Sequence, residues 1–247
     1  MEKLKISVIT ICFNAVSYIE RTLTSVHSQT YENLEHVVID GASTDGTLDI
    51  LKLHSSGISK LVSEPDSGIY NAMNKGVTNS TGDYLIFLNG GDVFHDPEAL
   101  SRLIEHSSGE KIVYGDLVFR ETTGDVYVKS PSPLTTASFL QRSGLYHPST
   151  MYSRCLFLDF GGYDESYKIV GDFEFNLRVG LREDIEKRHV DTLVSIFYRD
   201  GVSSRPEANS LRLRERRMAL INHFGFLKYR VLKTKIWLKR RYRKLYR

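Results

Sequence analysis

A mostly parallel α/β sheet, covered by helices on both faces and followed by a basic helical tail, is the architecture this sequence predicts. Three observations predict it. Strand and helix patterns alternate four times in about the first 105 residues. The strand segments are continuous apolar runs rather than alternating ones, the pattern of strands buried on both faces. Every polar cluster, at Thr10–Asn14, Asp40–Asp45, Glu64–Asn74 and Asn89–Asp92, follows a strand at its carboxyl end, where such sheets bind ligands.

Lys5–Cys12 is rich in β-branched residues and reads as the first strand. Ser17 is placed to cap a helix whose Ile19, Leu23 and Val26 share a face, with Glu20 completing a capping box. Leu34–Ile39 is the second strand, and the small residues 40–47 lead from it into a helix over 47–54. Ile58–Val62 is a short third strand, followed by a polar loop at Ser63–Tyr70 and a helix over Ile69–Val77. Tyr84–Leu88 is the fourth strand; it runs into Asn89-Gly90-Gly91-Asp92, and Asp96-Pro97 opens a helix over 97–106.

The pattern then changes. Lys111–Phe119 and Val126–Lys129 read as strands around a turn, and residues 130–150 as a polar loop. Thr150–Cys155 and Val190–Tyr198 are further strands, with a helix over Gly171–Gly180 between them. This half extends the same sheet. The expected organisation is one unit over 1–215, with a ligand-binding half 1–105 and a second half 106–215, and then a tail over 216–247.

The tail is set apart by charge. From Arg216 onward there are 12 Lys/Arg and no Asp/Glu; the other 21 basic residues face all 30 acidic ones, a net of −9. Phe226, Tyr229, Trp237 and Tyr242 interleave with these cations, the composition of an amphipathic helix lying on anionic lipid. A helix packed on the body with a solvated basic face is the alternative, and nucleic acid is not the expected partner. No window approaches 18 apolar residues and the start lacks a signal-peptide stretch. With two cysteines in apolar surroundings, the expected setting is a reducing compartment: cytoplasmic, peripheral on the inner face of the cell membrane. No feature sets an oligomeric state.

Four strand ends and one helix start carry the candidate chemistry. Asp40 neighbours Thr10 across a parallel pair; an acid there accepts a hydrogen bond from a base N–H or a ribose hydroxyl, or only shapes its loop. Neither G-x-G-x-x-G nor a P-loop is present, so a nucleotide is bound without either device. Asp92 follows two glycines that let a diphosphate approach. One carboxylate completes a Mg2+ or Mn2+ shell when diphosphate oxygens and water supply the rest; the alternative is a helix cap. Asp172 stands at a helix start held to the core by Phe173 and Leu177, either as an N-cap or as a general base taking a proton from a hydroxyl. Glu174 is a weaker candidate for the same task. His147 is equally suited to contact a phosphate or acceptor and to a structural role.

The segments S-V-I-T-I-C-F-N, V-V-I-D-G-A-S-T-D-G-T, S-E-P-D-S-G-I-Y-N-A-M-N-K-G, T-G-D-Y-L-I-F-L-N-G-G-D and G-G-Y-D-E-S-Y-K-I-V-G-D-F-E-F-N-L-R together resemble the family 2 glycosyltransferases of GT-A fold, a Rossmann-like architecture. The resemblance covers residues 5–180 and is nearest to bacterial enzymes that build capsule, colanic acid or O-antigen units. It implies an inverting hexosyltransferase using a nucleotide diphosphate sugar donor, Mn2+ or Mg2+, and a saccharide acceptor, which the tail suggests is lipid-linked. Thr10, Asn14 and Asp40 would hold the nucleotide; Glu64, Asp66 and Gly68 would line the nucleoside and diphosphate region, with Asn71, Asn74, Asn89 and Gly91 near it. Asp92 would hold the metal and Asp172 would be the catalytic base. Two departures stand out: the metal motif is Asn-Gly-Gly-Asp where two or three acids are usual, and Gly171 precedes Asp172 where Glu is frequent. A nucleotidyltransferase is the alternative enzyme, disfavoured by Cys12-Phe13-Asn14-Ala15 in place of a Gly-rich basic loop. The alternative of another class is a non-catalytic adaptor on membrane or nucleic acid.

Overall fold

The computed structural model describes residues 3–141, 144–198 and 208–245, with side chains to residue 238 in the last segment. The four expected strands form its parallel half: β1 (Ile6–Cys12), β2 (Leu34–Asp40), β3 (Lys60–Ser63) and β4 (Tyr84–Phe87). β1 pairs in parallel with β2 on one side and β4 on the other, and β2 pairs with β3. Helices α1 (Ile19–His27), α2 (Thr47–Leu53) and α3 (Ile69–Asn79) connect them. β5 (Val93–Phe94) and α4 (Ala99–Glu105) follow.

The second half completes one nine-stranded sheet. β6 (Ile112–Glu121) bonds along one edge to β8 (Thr150–Ser153) and β7 (Gly124–Val128), both antiparallel, and along the other to β9 (Lys187–Tyr198) in parallel. β8 also bonds to β4, and β5 to β9. Along the path, β3, β2, β1, β4, β6 and β9 share one direction. Helices α5 (Thr136–Gln141), α6 (Cys155–Phe160) and α7 (Gly171–Gly180) fill the connections; α5 lies inside the segment expected to be loop. α8 (Ala208–Phe224) and α9 (Phe226–Leu245) end the chain.

Both faces of the sheet are dry. Ile9, Ile11, Val37, Ile39 and Phe87 pack under α3 and α7 in one cluster, while Val8, Ile86 and Leu88 pack against α1 and α4 in another. Phe175 of α7 stacks on Phe157 with ring centroids 4.4 Å apart, which anchors the helix that carries Asp172. The predicted capping box does not form: α1 starts at Ile19 behind Tyr18, with no side-chain cap. The loop before it is tied across the sheet instead, Ala15 N donating to Thr47 Oγ1 and Val16 N to Asp45 Oδ2.

The expected boundary at 215/216 falls inside α8. Glu215 is buried, and its carboxylate accepts the backbone N–H groups of Lys168, Ile169 and Val170. Ala219, Leu220 and Tyr229 join the main core. The root of the basic segment is therefore part of the body. The tail expectations for Tyr242 and the cations from Lys239 onward lie outside the described side chains.

Candidate active site

Asn89, just past the carboxyl end of β4, and Asp172, at the N-terminus of α7, border the same cavity. This cavity of about 480 Å³ is lined by Tyr70, Asn89, His147, Asp172 and Arg216, with Met73, Phe119 and Phe197 among its apolar walls.

Asp172 is fixed from three directions. Glu215 gathers the three amides just before α7. Phe173 and Leu177 bury the inner face of the helix. The carboxylate itself is clamped: Tyr70 Oη donates to Oδ1 over 3.1 Å, and His147 Nδ1 lies 3.2 Å from Oδ2. A quarter of the side chain, 25%, stays exposed, enough for a hydroxyl to reach it. Burial pushes its carboxyl up, but the His147 hydrogen bond, with the Phe173 amide and the Tyr70 hydroxyl, outweighs that and holds it below the usual carboxylate range. Burial and the Asp172 charge push the Tyr70 hydroxyl well up, so it is a neutral donor. Glu174, the weaker candidate, is paired to Arg178 at 2.8 Å and raised by burial.

The glycine before Asp172 has a steric reason. A Cβ at Gly171 would stand 2.8 Å from two ring carbons of Tyr70. Tyr70 occupies the room that a side chain at that position would need.

At the carboxyl ends of β1 and β2 the expected residues take different surroundings. Thr10 is wholly buried beneath α1, its hydroxyl 3.0 Å from His36 Nε2, so its side chain is not at the cavity surface. Asp40 is also fully buried. Its carboxylate accepts Ser43 N and the hydroxyls of Ser43 and Ser63, so it shapes its loop. Asn14 sits in the left-handed region at φ 47 and accepts Thr44 N on its side-chain oxygen. Asp66 is different. Its Oδ1 accepts Gly68 N, while its Oδ2 lies 2.5 Å from where a Cβ at Gly41 would be, with the Phe13 ring 3.3 Å from the same point. Because residue 41 is Gly, an acid and a 60% exposed Phe13 share one ledge at the end of β2.

The remaining predicted residues divide. Glu64 pairs with Lys75 at 2.7 Å. Asn71 and Asn74 both donate to the Glu165 carboxylate, and Asn74 also brackets Tyr163 through its N and O; they tie α3 to the segment before α7. Gly91 accepts Arg21 Nε on its carbonyl and donates to Thr22 Oγ1, which holds the 89–92 turn against α1. Asn89 donates from Nδ2 to His147 Nε2, 3.2 Å apart. Asp92 is 5% exposed and accepts Tyr198 N at 3.3 Å.

Among the described residues no three His, Cys, Asp or Glu side chains gather as a metal cage. The turn offers one carboxylate, Asp92, 5% exposed. A carboxylate is the hard-oxygen donor that Mg2+ or Mn2+ takes, with diphosphate oxygens left to supply most of the shell.

Two important residues escaped the sequence reading. Tyr70 stood inside a quoted motif, but nothing in its spacing tied it to residue 172. Phe13 enters the sequence reading only within S-V-I-T-I-C-F-N and Cys12-Phe13-Asn14-Ala15, although an aromatic at a parallel strand end is a usable signal.

The parallel half-sheet, the crossing to antiparallel β8 and the acid at α7 make this a GT-A glycosyltransferase fold. S. aureus TarS in complex with UDP-GlcNAc aligns with a TM-score of 0.64 and 19% identity over 89% of this chain and 67% of that one. Mannosyltransferase PcManGT from Pyrobaculum calidifontis, in complex with GDP-Man and Mn2+, aligns with a TM-score of 0.64 and 19% identity over 91% of this chain and 64% of that one. The chain thus spans about two thirds of these longer neighbours. Residues 7–166 match glycosyl transferase family 2, and the chain belongs to that family. An uncharacterized glycosyltransferase of Mycobacterium tuberculosis is 36% identical over 181 residues, 71% of this chain and 69% of its own. A PGL/p-HBAD biosynthesis glycosyltransferase of the same organism is 29% identical over 202 residues, 79% of this chain and 77% of its own. Nucleotidyl transfer and a non-catalytic adaptor are thereby set aside.

Proposed function

We propose that this glycosyltransferase inverts the anomeric carbon as it moves a hexose from a nucleoside diphosphate sugar to a hydroxyl of a lipid-linked saccharide. The observation that carries the reading is Asp172: an ionised, clamped and partly exposed carboxylate facing a cavity that Asn89, after β4, also lines. In the reaction the acceptor hydroxyl gives its proton to Asp172 as its oxygen bonds the anomeric carbon. The bond from that carbon to the diphosphate breaks on the opposite face, and its electron pair leaves with the diphosphate. Asp92 would hold Mg2+ or Mn2+, which offsets charge on the leaving diphosphate. Asp66 accepts a base N–H and Phe13 offers the base an apolar face.

The acceptor reading draws on two supports. The apolar cavity walls suit an acceptor with a greasy portion. On α9, Leu227, Val231 and Leu238 form one exposed row flanked by exposed Lys228, Arg230 and Lys235, the pattern of a helix resting on anionic lipid at the cytoplasmic face. No helix among the described residues is long and apolar enough to cross a membrane.

A thermal-shift panel of UDP, GDP, CDP and dTDP sugars with Mn2+ identifies the donor. With that donor, Asp172→Asn keeps nucleotide-sugar affinity and loses turnover by about 100-fold or more. Near-normal turnover in that variant removes Asp172 from the role of base.

A further inference from the structure

Asn89, His147 and Asp172 form a chain from the donor strand end to the acceptor side. Asn89 Nδ2 is 3.2 Å from His147 Nε2, and His147 Nδ1 is 3.2 Å from Asp172 Oδ2. All three residues line the same cavity. A neutral imidazole has one N–H and one acceptor nitrogen. With the proton on Nε2, the Nδ1 lone pair would face a carboxylate, two acceptors together. The arrangement that satisfies both contacts puts Nδ1–H on Asp172 and an Asn89 N–H on Nε2. This fixes the Asn89 amide so that Oδ1 points elsewhere, and that buried oxygen has no hydrogen-bond partner. A buried amide oxygen left without a donor is a place where a water or a ligand hydroxyl supplies one.

We propose that Asn89 and His147 are positioning residues that couple donor binding to the base. A hydroxyl of the sugar being transferred donates to Asn89 Oδ1 and locks the amide. The amide then holds His147 in its Nδ1–H tautomer, and that N–H orients Asp172 toward the acceptor. The inference rests on Asp172 being the base. Besides His147, the groups that face Asp172 are Tyr70 from α3, Tyr152 from β8, Tyr163 from the segment before α7, and Arg216 from α8. The tyrosines are raised by burial and stay neutral, so Tyr70 acts on Asp172 through its hydroxyl, beside the His147 hydrogen bond and the Arg216 charge.

Imidazole 15N NMR on the whole protein reads the tautomer directly, alone and with UDP-GlcNAc or GDP-mannose added. The expected result is an Nδ1–H pattern for His147 in the unmodified protein and a mixed pattern in Asn89→Ala. An Nε2–H pattern in the unmodified protein, or no change in Asn89→Ala, overturns the proposal. In kinetics with the donor found by the panel, His147→Ala lowers kcat about 10- to 100-fold, leaves the donor KM within about threefold and moves the acidic limb of kcat to higher pH. His147→Gln restores part of the rate because its amide N–H can replace the donor to Asp172. An unmoved limb with normal kcat in His147→Ala, beside an inactive Asp172→Asn, overturns the coupling alone. An active Asp172→Asn overturns the base reading beneath it.

Discussion

The hydroxyl of Tyr70 donates to Oδ1 of Asp172 over 3.1 Å, and the Tyr70 ring fills the room that a side chain at residue 171 would need. One residue from α3 thus explains both the glycine before Asp172 and part of the clamp on its carboxylate. Tyr70→Phe keeps the ring and deletes the donor. The loss is about 1 kcal/mol of carboxylate stabilisation, expected as a roughly fivefold fall in kcat/KM. Because the hydroxyl helps hold the Asp172 carboxyl down, the acidic limb of the rate profile moves to higher pH. Initial rates across pH check both.

The ledge made by Asp66, Gly41 and Phe13 gives a second expectation. Gly41→Ala drives a methyl into the Asp66 carboxylate, and Asp66→Asn replaces an acceptor that a base N–H needs. Each lowers affinity for the cognate nucleotide by about 10-fold, the effect of one charged hydrogen bond. Asp40→Asn instead lowers the melting temperature, since its carboxylate ties Ser43 and Ser63 inside the fold. Calorimetric titration with nucleotide, beside thermal unfolding, separates the two kinds of loss.

His36 makes stability depend on pH. It is wholly buried between Thr10 and His27. Burial, then His27, lowers its folded value from 6.5 to about 3. Between those values the unfolded chain binds a proton that the folded chain does not, so stability falls as pH falls through that window. The slope from this group reaches at most about 1.4 kcal/mol per pH unit. Urea midpoints measured from pH 7 to pH 5 decline accordingly, and His36→Gln removes this contribution. Equal slopes in the two proteins would count against the assignment.

Val231→Asp with Leu238→Asp places charge on the exposed row of α9 while leaving Tyr229 in the core. Flotation on vesicles containing anionic phospholipid is expected to fall sharply, with the melting temperature unchanged. Deleting 216–247 is the wrong comparison, because Ala219, Leu220 and Tyr229 would leave the core with it.

The parallel half of the fold was legible because strands buried on both faces are written as unbroken apolar runs. That same feature hid the direction of Thr10. With no polar face, the pattern along β1 gave no clue that Thr10 turns under α1 toward His36. The acid at residue 92 and the acid at residue 172 were legible as types at helix and strand ends. Their partners were not, since Tyr70 lies 102 residues and His147 lies 25 residues from Asp172 in the chain, and sequence spacing says nothing about such pairs. The two-residue β5 and the three-way pairing of β6 left no periodic trace either, because each depends on neighbours brought from far along the chain.

The grip of Glu215 on Lys168, Ile169 and Val170 also sets an order of assembly. The parallel strands β1 to β4 are all made by residue 87, and chains fold from the N-terminus as they are synthesised. The segment that seats Asp172 waits for Glu215, 45 to 47 positions further along the chain. A nascent chain can therefore complete the parallel half of its sheet, with the Asp66–Phe13 ledge, before the segment that carries Asp172 is held in place.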